Sequence, residues 1–95
     1  GSQVIRFAGE WLAVVHESRL RDGTRYYQHR FALMDDSGAL RKLSMPFVLH
    51  TTQVEFVAGL CWHPDSKRLL MSYGVRDEEA WIAEMDWHDV LELLL

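Results

Sequence analysis

A single carboxylate, Glu55, begins the most apolar stretch of the chain and is the first candidate for chemistry. That stretch, residues 54–63, places apolar side chains on both faces of an extended strand, so we expect both faces to be covered. A carboxylate there lies either at a rim or in a site, and a buried one needs a partner such as Arg30 or Arg76. A structural ion pair and a ligand-binding role are therefore the two alternatives for Glu55.

His16 and Asp77 are the other polar candidates. His16 lies on a mostly apolar strand, where a histidine is either a hydrogen-bonded structural side chain or a ligand-binding group lining a channel. Asp77 ends the strand-like run 68–77 and either faces a ligand or holds a turn through its side chain. Glu17, beside His16, is expected at the rim or paired with Arg30.

The usual signatures of catalysis and metal binding are missing from the sequence. The five histidines and one cysteine show no metal-ligand spacing, and His29 and His63 look isolated. There is no Ser/His/Asp set, phosphate loop or dinucleotide fingerprint. We therefore predict no catalytic residue, no metal and no cofactor, and a protein that is not an enzyme.

Turn signals divide the chain into short strands. Asp22-Gly23 is the strongest hairpin signal, and residues 63–67, with proline, aspartate and serine, predict a second hairpin. Pro46 cannot donate to a ladder, so the strand before it is expected at an edge. Asp86 is the expected N-cap of a short C-terminal helix. The predicted strands are residues 4–8, 11–18, 26–35, 39–44, 54–63, 68–77 and 80–85.

Length and composition fit one small domain, with 95 residues of which 48% are hydrophobic and 25% charged. The net charge of −4 argues against nucleic acid as a partner. No apolar run approaches the ~20 residues of a membrane span, and the N-terminal residues do not show the charged-then-apolar pattern expected of a signal peptide. Cys61 has apolar neighbours, which predicts a buried reduced thiol and a cytoplasmic location. Gly1 and Ser2 are typical of a cloning remnant.

Apart from the short edge strand 4–8, the predicted strands form two triplets, and each triplet has about the length of a propeller blade, for which repeats of ~40–50 residues are typical. A six-stranded sandwich or barrel is the alternative. Several short motifs in order favour the propeller: residues 9–17, 26–33, 44–47, 55–60, 71–77 and 79–83, followed by a helix at 89–94.

These motifs resemble the inner strands, the "S-x-P-hydrophobic" return and the last-blade turn of glycoside hydrolase family 130, the mannoside phosphorylases and their relatives, which are five-bladed propellers. They are also similar to propeller-like segments appended to bacterial glycosyltransferase-type proteins. The resemblance implies all-β, antiparallel propeller blades, about two in number. Residues 3–50 would form the first blade, and residues 51–95 the second blade with the C-terminal helix.

The resemblance also implies half of a sugar site without its chemistry. His16 and Asp77 match positions that face the sugar-binding end, and Glu55 lies near the substrate approach. The catalytic aspartate and most phosphate-binding residues belong to earlier blades, which have no counterpart here. We therefore expect His16, Arg30, Glu55 and Asp77 to form a weak ligand-binding set at most.

Two blades leave unpaired strand edges and uncovered apolar faces, which proteins normally cover. We expect a cyclic homo-oligomer, with a trimer as first choice. A carbohydrate-binding module is one alternative, and a fragment of a mannoside phosphorylase or hydrolase that takes its catalytic aspartate from a partner chain is another. The residues expected to be buried are Trp11, Phe56, Leu60, Trp62, Leu69, Met71, Trp81 and Ile82.

Overall fold

A computed structural model describes residues 2–49, 55–76 and 79–95, and these residues form two antiparallel β-sheets and one short helix. The first sheet has the strand order β1-β2-β3-β4 and the second has the order β5-β6-β7. This confirms the predicted all-β class with a short C-terminal helix. The elements are β1 (Ile5–Phe7), β2 (Glu10–Arg21), β3 (Thr24–Met34), β4 (Leu40–Leu43), β5 (Glu55–Trp62), β6 (Arg68–Val75), β7 (Glu79–Asp86) and α1 (Trp87–Leu93).

Turn chemistry forms both long hairpins as predicted. Between β2 and β3, Asp22 and Gly23 both have positive φ, which is the backbone of a two-residue type I′ turn. Between β5 and β6, the Asp65 carboxylate accepts hydrogen bonds from the backbone N–H groups of Lys67 and Arg68 at 2.9 and 3.2 Å. The Lys67 bond is the main reason that the pKa of Asp65 falls to about 2.

The hydrophobic core lies between the facing sides of the two sheets. Alternate side chains of the central strands supply it, as the period of two along a strand requires. Phe7 of β1 joins the core and stacks on Trp62 with ring centroids 5.7 Å apart. The main buried residues are Leu12, Val14, Phe31 and Leu33 from the first sheet and Val57, Leu60, Leu69, Met71, Tyr73 and Val75 from the second.

Three side chains expected in the core are exposed on the single chain. Phe56 is 52% exposed and Ile82 71%, because both lie on the opposite side of the second sheet from its core residues. Phe56 is there because the register shift between Val57 and Gly59 separates it from the face of Leu60. Trp81, on the edge strand β7, is 45% exposed. Cys61 is also exposed, so the prediction of a buried thiol is wrong; beyond the register shift, Cys61 lies on the same outer side of the sheet as Phe56. Trp11 and Trp62 are partly buried.

The C-terminal helix begins as expected, with the Asp86 side chain accepting a hydrogen bond from the His88 N–H group at 2.8 Å. Val90 and Leu94 are buried against the core, whereas Leu91 remains at the surface. No helix among the described residues is long and apolar enough to cross a membrane.

The edge strands are β1 and β4 in the first sheet and β5 and β7 in the second. All four residues of β4 are exposed, which confirms the edge strand predicted before Pro46. Ser2 is also part of the fold, since its N–H group donates to the Val14 carbonyl at 3.0 Å.

Candidate functional site

Two of the predicted site residues, His16 and Glu55, meet in one cluster where β2, β3 and β5 come together. The residue that joins them is His29, which lies opposite His16 in the β2–β3 ladder. His29 and Glu55 are fully buried. The cluster is therefore part of the contact between the two sheets.

Glu55 takes its partners from the first sheet and from the segment that follows β4. His29 Nε2 lies 2.8 Å from Glu55 Oε1, and the Leu49 N–H group donates to the same oxygen at 2.6 Å. Hydrogen bonds to an ionised carboxylate are stronger than neutral ones, and they offset much of its cost of burial. Of the two alternatives for Glu55, the paired structural role is the one that this geometry supports.

Arg30 is not the partner of Glu55, because it points to the opposite face of β3 from His29. Its guanidinium instead pairs with the Glu17 carboxylate and donates to the Ser44 carbonyl at 2.9 Å. The hydrogen bond from Arg30 is the main cause of the lowered pKa of Glu17. The predicted Glu17–Arg30 pair is confirmed, and the predicted Arg30–Glu55 pair is wrong.

His16 is hydrogen bonded to the edge of the second sheet. Its Nε2 accepts a hydrogen bond from the Val57 N–H group at 3.0 Å, and its ring stacks on Phe56 with centroids 4.2 Å apart. An accepting Nε2 places the ring proton on Nδ1 of a neutral imidazole. Burial, with repulsion from His29 as a second cause, lowers the pKa of His16 from its ordinary value.

One ring nitrogen of His29 is hydrogen bonded to Glu55, and the other has no hydrogen-bond partner among the described residues. With Nε2–H donated to the carboxylate, Nδ1 carries a lone pair, and no described residue donates to it. Protonation would create a buried N–H group without an acceptor. Burial lowers the pKa of His29, although the hydrogen bond and the charge of Glu55 oppose that shift.

Sequence reasoning missed His29 by treating it as isolated. The Asp22-Gly23 turn fixes the register of the hairpin, and that register places His29 directly opposite His16. The two rings meet edge to face, with centroids 5.2 Å apart. Counting outward from the turn would have found this pair.

The cluster acts as a polar clamp between the sheets. Its hydrogen bonds join β2 to β5, β3 to β5 and the segment after β4 to β5. Among the described residues no group of three potential ligands could hold a metal ion. Asp77 lies outside the described residues.

Comparisons with known proteins give no relative for this chain. No family model matches it, and no curated protein and no solved structure is similar to it. The resemblance to glycoside hydrolase family 130 therefore stays a prediction from sequence motifs.

Proposed function

We propose that the chain is a partial β-propeller of about two blades that assembles with further copies of itself into a closed ring. The observation that carries this proposal is the outer face of the second sheet, formed by Phe56, Ala58, Cys61, Ser72, Gly74, Ala80 and Ile82. Its most exposed large apolar side chains, Phe56 and Ile82, are 52% and 71% exposed on the single chain. Contiguous exposed apolar surface marks an interaction site.

The shape of the outer face suits a packed sheet or ribbon. Its small residues, Ala58, Ser72, Gly74 and Ala80, let another backbone approach closely, and they line a depression of about 500 Å³. The edge strands β4 and β7, which pair with no further strand among the described residues, add backbone groups of the kind that associate with other strands. A ring of three copies, with six blades, is the assembly that we favour.

The proposal is tested by the mass of the protein in solution and by one pair of variants. Light scattering and native mass spectrometry should show a stable oligomer at micromolar concentration. Ile82→Glu should disperse it, because a charge would be buried in the interface. The matched control is Leu40→Glu, at a leucine that is 60% exposed on the other sheet.

Two results would contradict the proposal. A folded wild-type monomer at micromolar concentration would exclude self-assembly. An oligomer that survives Ile82→Glu but is dispersed by Leu40→Glu would move the interface away from the outer face of the second sheet.

We further propose that the chain has no catalytic activity of its own. His16, Glu17, Arg30 and Glu55 bind one another or the backbone, which leaves little polar chemistry for a substrate. Calorimetric titration with mannose and mannobiosides, together with a phosphate-release assay, distinguishes the alternatives. Binding without turnover would favour a carbohydrate-binding module, and phosphorolysis would overturn the non-enzyme proposal.

The lone exposed thiol of Cys61 supports a cytoplasmic location.

A further inference from the structure

We propose that the copies join head to tail, with a hairpin arm of one copy docked on the outer face of the second sheet of the next. The hairpin arm is the far half of the β2–β3 hairpin, residues 17–28. This inference rests on the proposed self-assembly, and it names the two surfaces that make the contact.

The hairpin arm extends beyond the rest of its sheet. β1 pairs with β2 only at residues 10–12, and β4 pairs with β3 only at residues 32–34. Within the described residues, the arm is therefore a two-stranded ribbon that pairs only with itself. Two-stranded ribbons are marginally stable in water unless they pack against something. Leu20, near the tip, is 68% exposed.

The charge of the arm is opposite to that of the second sheet. Arg19, Arg21 and Arg25 outnumber the two carboxylates of the arm, Glu17 and Asp22. Residues 1–54 hold seven Lys or Arg and five Asp or Glu, whereas residues 55–95 hold three Lys or Arg and nine Asp or Glu. Complementary charge on two surfaces favours their encounter and fixes their orientation.

The receiving surface combines an apolar depression with acidic side chains. The depression on the outer face is also lined by Trp81 and Ile82, and its about 500 Å³ accommodates a leucine side chain. On the edge strand β7, Glu84 is exposed on the same face as Ile82 and pairs with Arg68 at 2.7 Å. Glu79 is exposed at the start of the strand, and its carboxylate accepts the Trp81 indole N–H. An arm that inserts Leu20 into the depression brings its arginines toward these carboxylates.

Within one chain, the hairpin arm does not cover the outer face of the second sheet. Leu20 and Ile82 are both exposed in the single copy, so the arm must find its receiving face on another. A contact between two different surfaces is heterologous, and its repetition generates a ring when the rotation closes. Head-to-tail contact thus accounts for how two-blade units would complete a propeller.

Charge reversal tests the contact. Arg21→Glu with Arg25→Glu should weaken association at least about tenfold, as should Glu79→Arg with Glu84→Arg. An equimolar mixture of the two variants should assemble again, because each then offers the surface that the other lacks. The matched control is Arg41→Glu with Lys42→Glu, which makes the same change of charge on β4.

Native mass spectrometry and sedimentation measure whether the mixed variants assemble, and circular dichroism confirms that each variant is folded. Restored assembly supports head-to-tail docking. Two dispersed variants that stay apart on mixing, or a control that disperses equally, would overturn it.

A neutral substitution gives an independent test. Leu20→Ser should weaken association at least about tenfold, whereas Leu40→Ser, at a comparably exposed leucine, should not. If the wild type is oligomeric and Leu20→Ser has no effect, the arm inference fails while the proposed self-assembly stands. If the wild type is a monomer, both fail.

Discussion

Removing the carboxylate of Glu55 should destabilise the fold more than any surface charge substitution. Glu55→Ala leaves His29 Nε2–H and the Leu49 N–H group without their acceptor, and both are held within 2.8 Å of it. Breaking a buried pair by deleting one partner costs about 3–5 kcal/mol. That is a large share of the about 5–15 kcal/mol by which a domain is stable. Urea unfolding followed by tryptophan fluorescence measures the loss.

Two further variants distinguish the loss of the polar clamp from a general destabilisation of the fold. Glu17→Ala, in a partly exposed pair with Arg30, should cost at most about 1 kcal/mol. Glu55→Leu combined with His29→Leu replaces both partners with apolar groups and should recover much of the stability, leaving about 1–3 kcal/mol for the orphaned Leu49 N–H group. Each variant is measured at two protein concentrations, since association adds to apparent stability. A loss below about 1 kcal/mol for Glu55→Ala would refute the clamp.

Acid and helix-capping effects provide two more expectations. Because the pKa values of His16 and His29 are lowered from 6.5 in the fold, the unfolded chain takes up protons first on acidification. The contribution of each histidine to the free energy of unfolding should be fully present above pH 6.5 and should fall by up to about 1.4 kcal/mol per pH unit below it. If the slope of stability against pH were unchanged in His29→Gln, this assignment would be contradicted. Asp86→Ala removes the acceptor for the His88 N–H group and should lower the midpoint of urea unfolding more than Asp89→Ala, the control in the same first turn.

Local signals predicted the strands and turns of this protein well. Asp22-Gly23 demands positive φ at both positions, and the hairpin forms there. Asp86 offers a side-chain acceptor just before a helical apolar stripe, and the helix begins after it. These features depend on a few neighbouring residues, so the sequence alone contains the cause of each.

The site could be predicted only in part, because its geometry depends on which strands meet. His16 and Glu55 were identified as unusual polar residues on apolar strands, and both lie in the cluster. Arg30 was one of two candidate partners of Glu55, yet the pleat sends its side chain to the other face of β3 from His29. The hairpin register contained the His16–His29 pairing, but the approach of β5 to both histidines is a tertiary contact.

Turn chemistry determined which strands pair as hairpins, and alternation determined which side chains share a face wherever a strand runs without a register shift; both follow from the sequence. Only the packing of the two sheets decided which face became the core. Leu60 and Phe56 lie on the same strand, are similarly apolar and would share a face under strict alternation. Leu60 is nevertheless buried and Phe56 is 52% exposed, because the register shift between Val57 and Gly59 puts them on opposite faces. Hydrophobicity makes burial favourable for both, but it is non-directional, and the partner surface that covers each side of a sheet is supplied by chain that is distant in sequence.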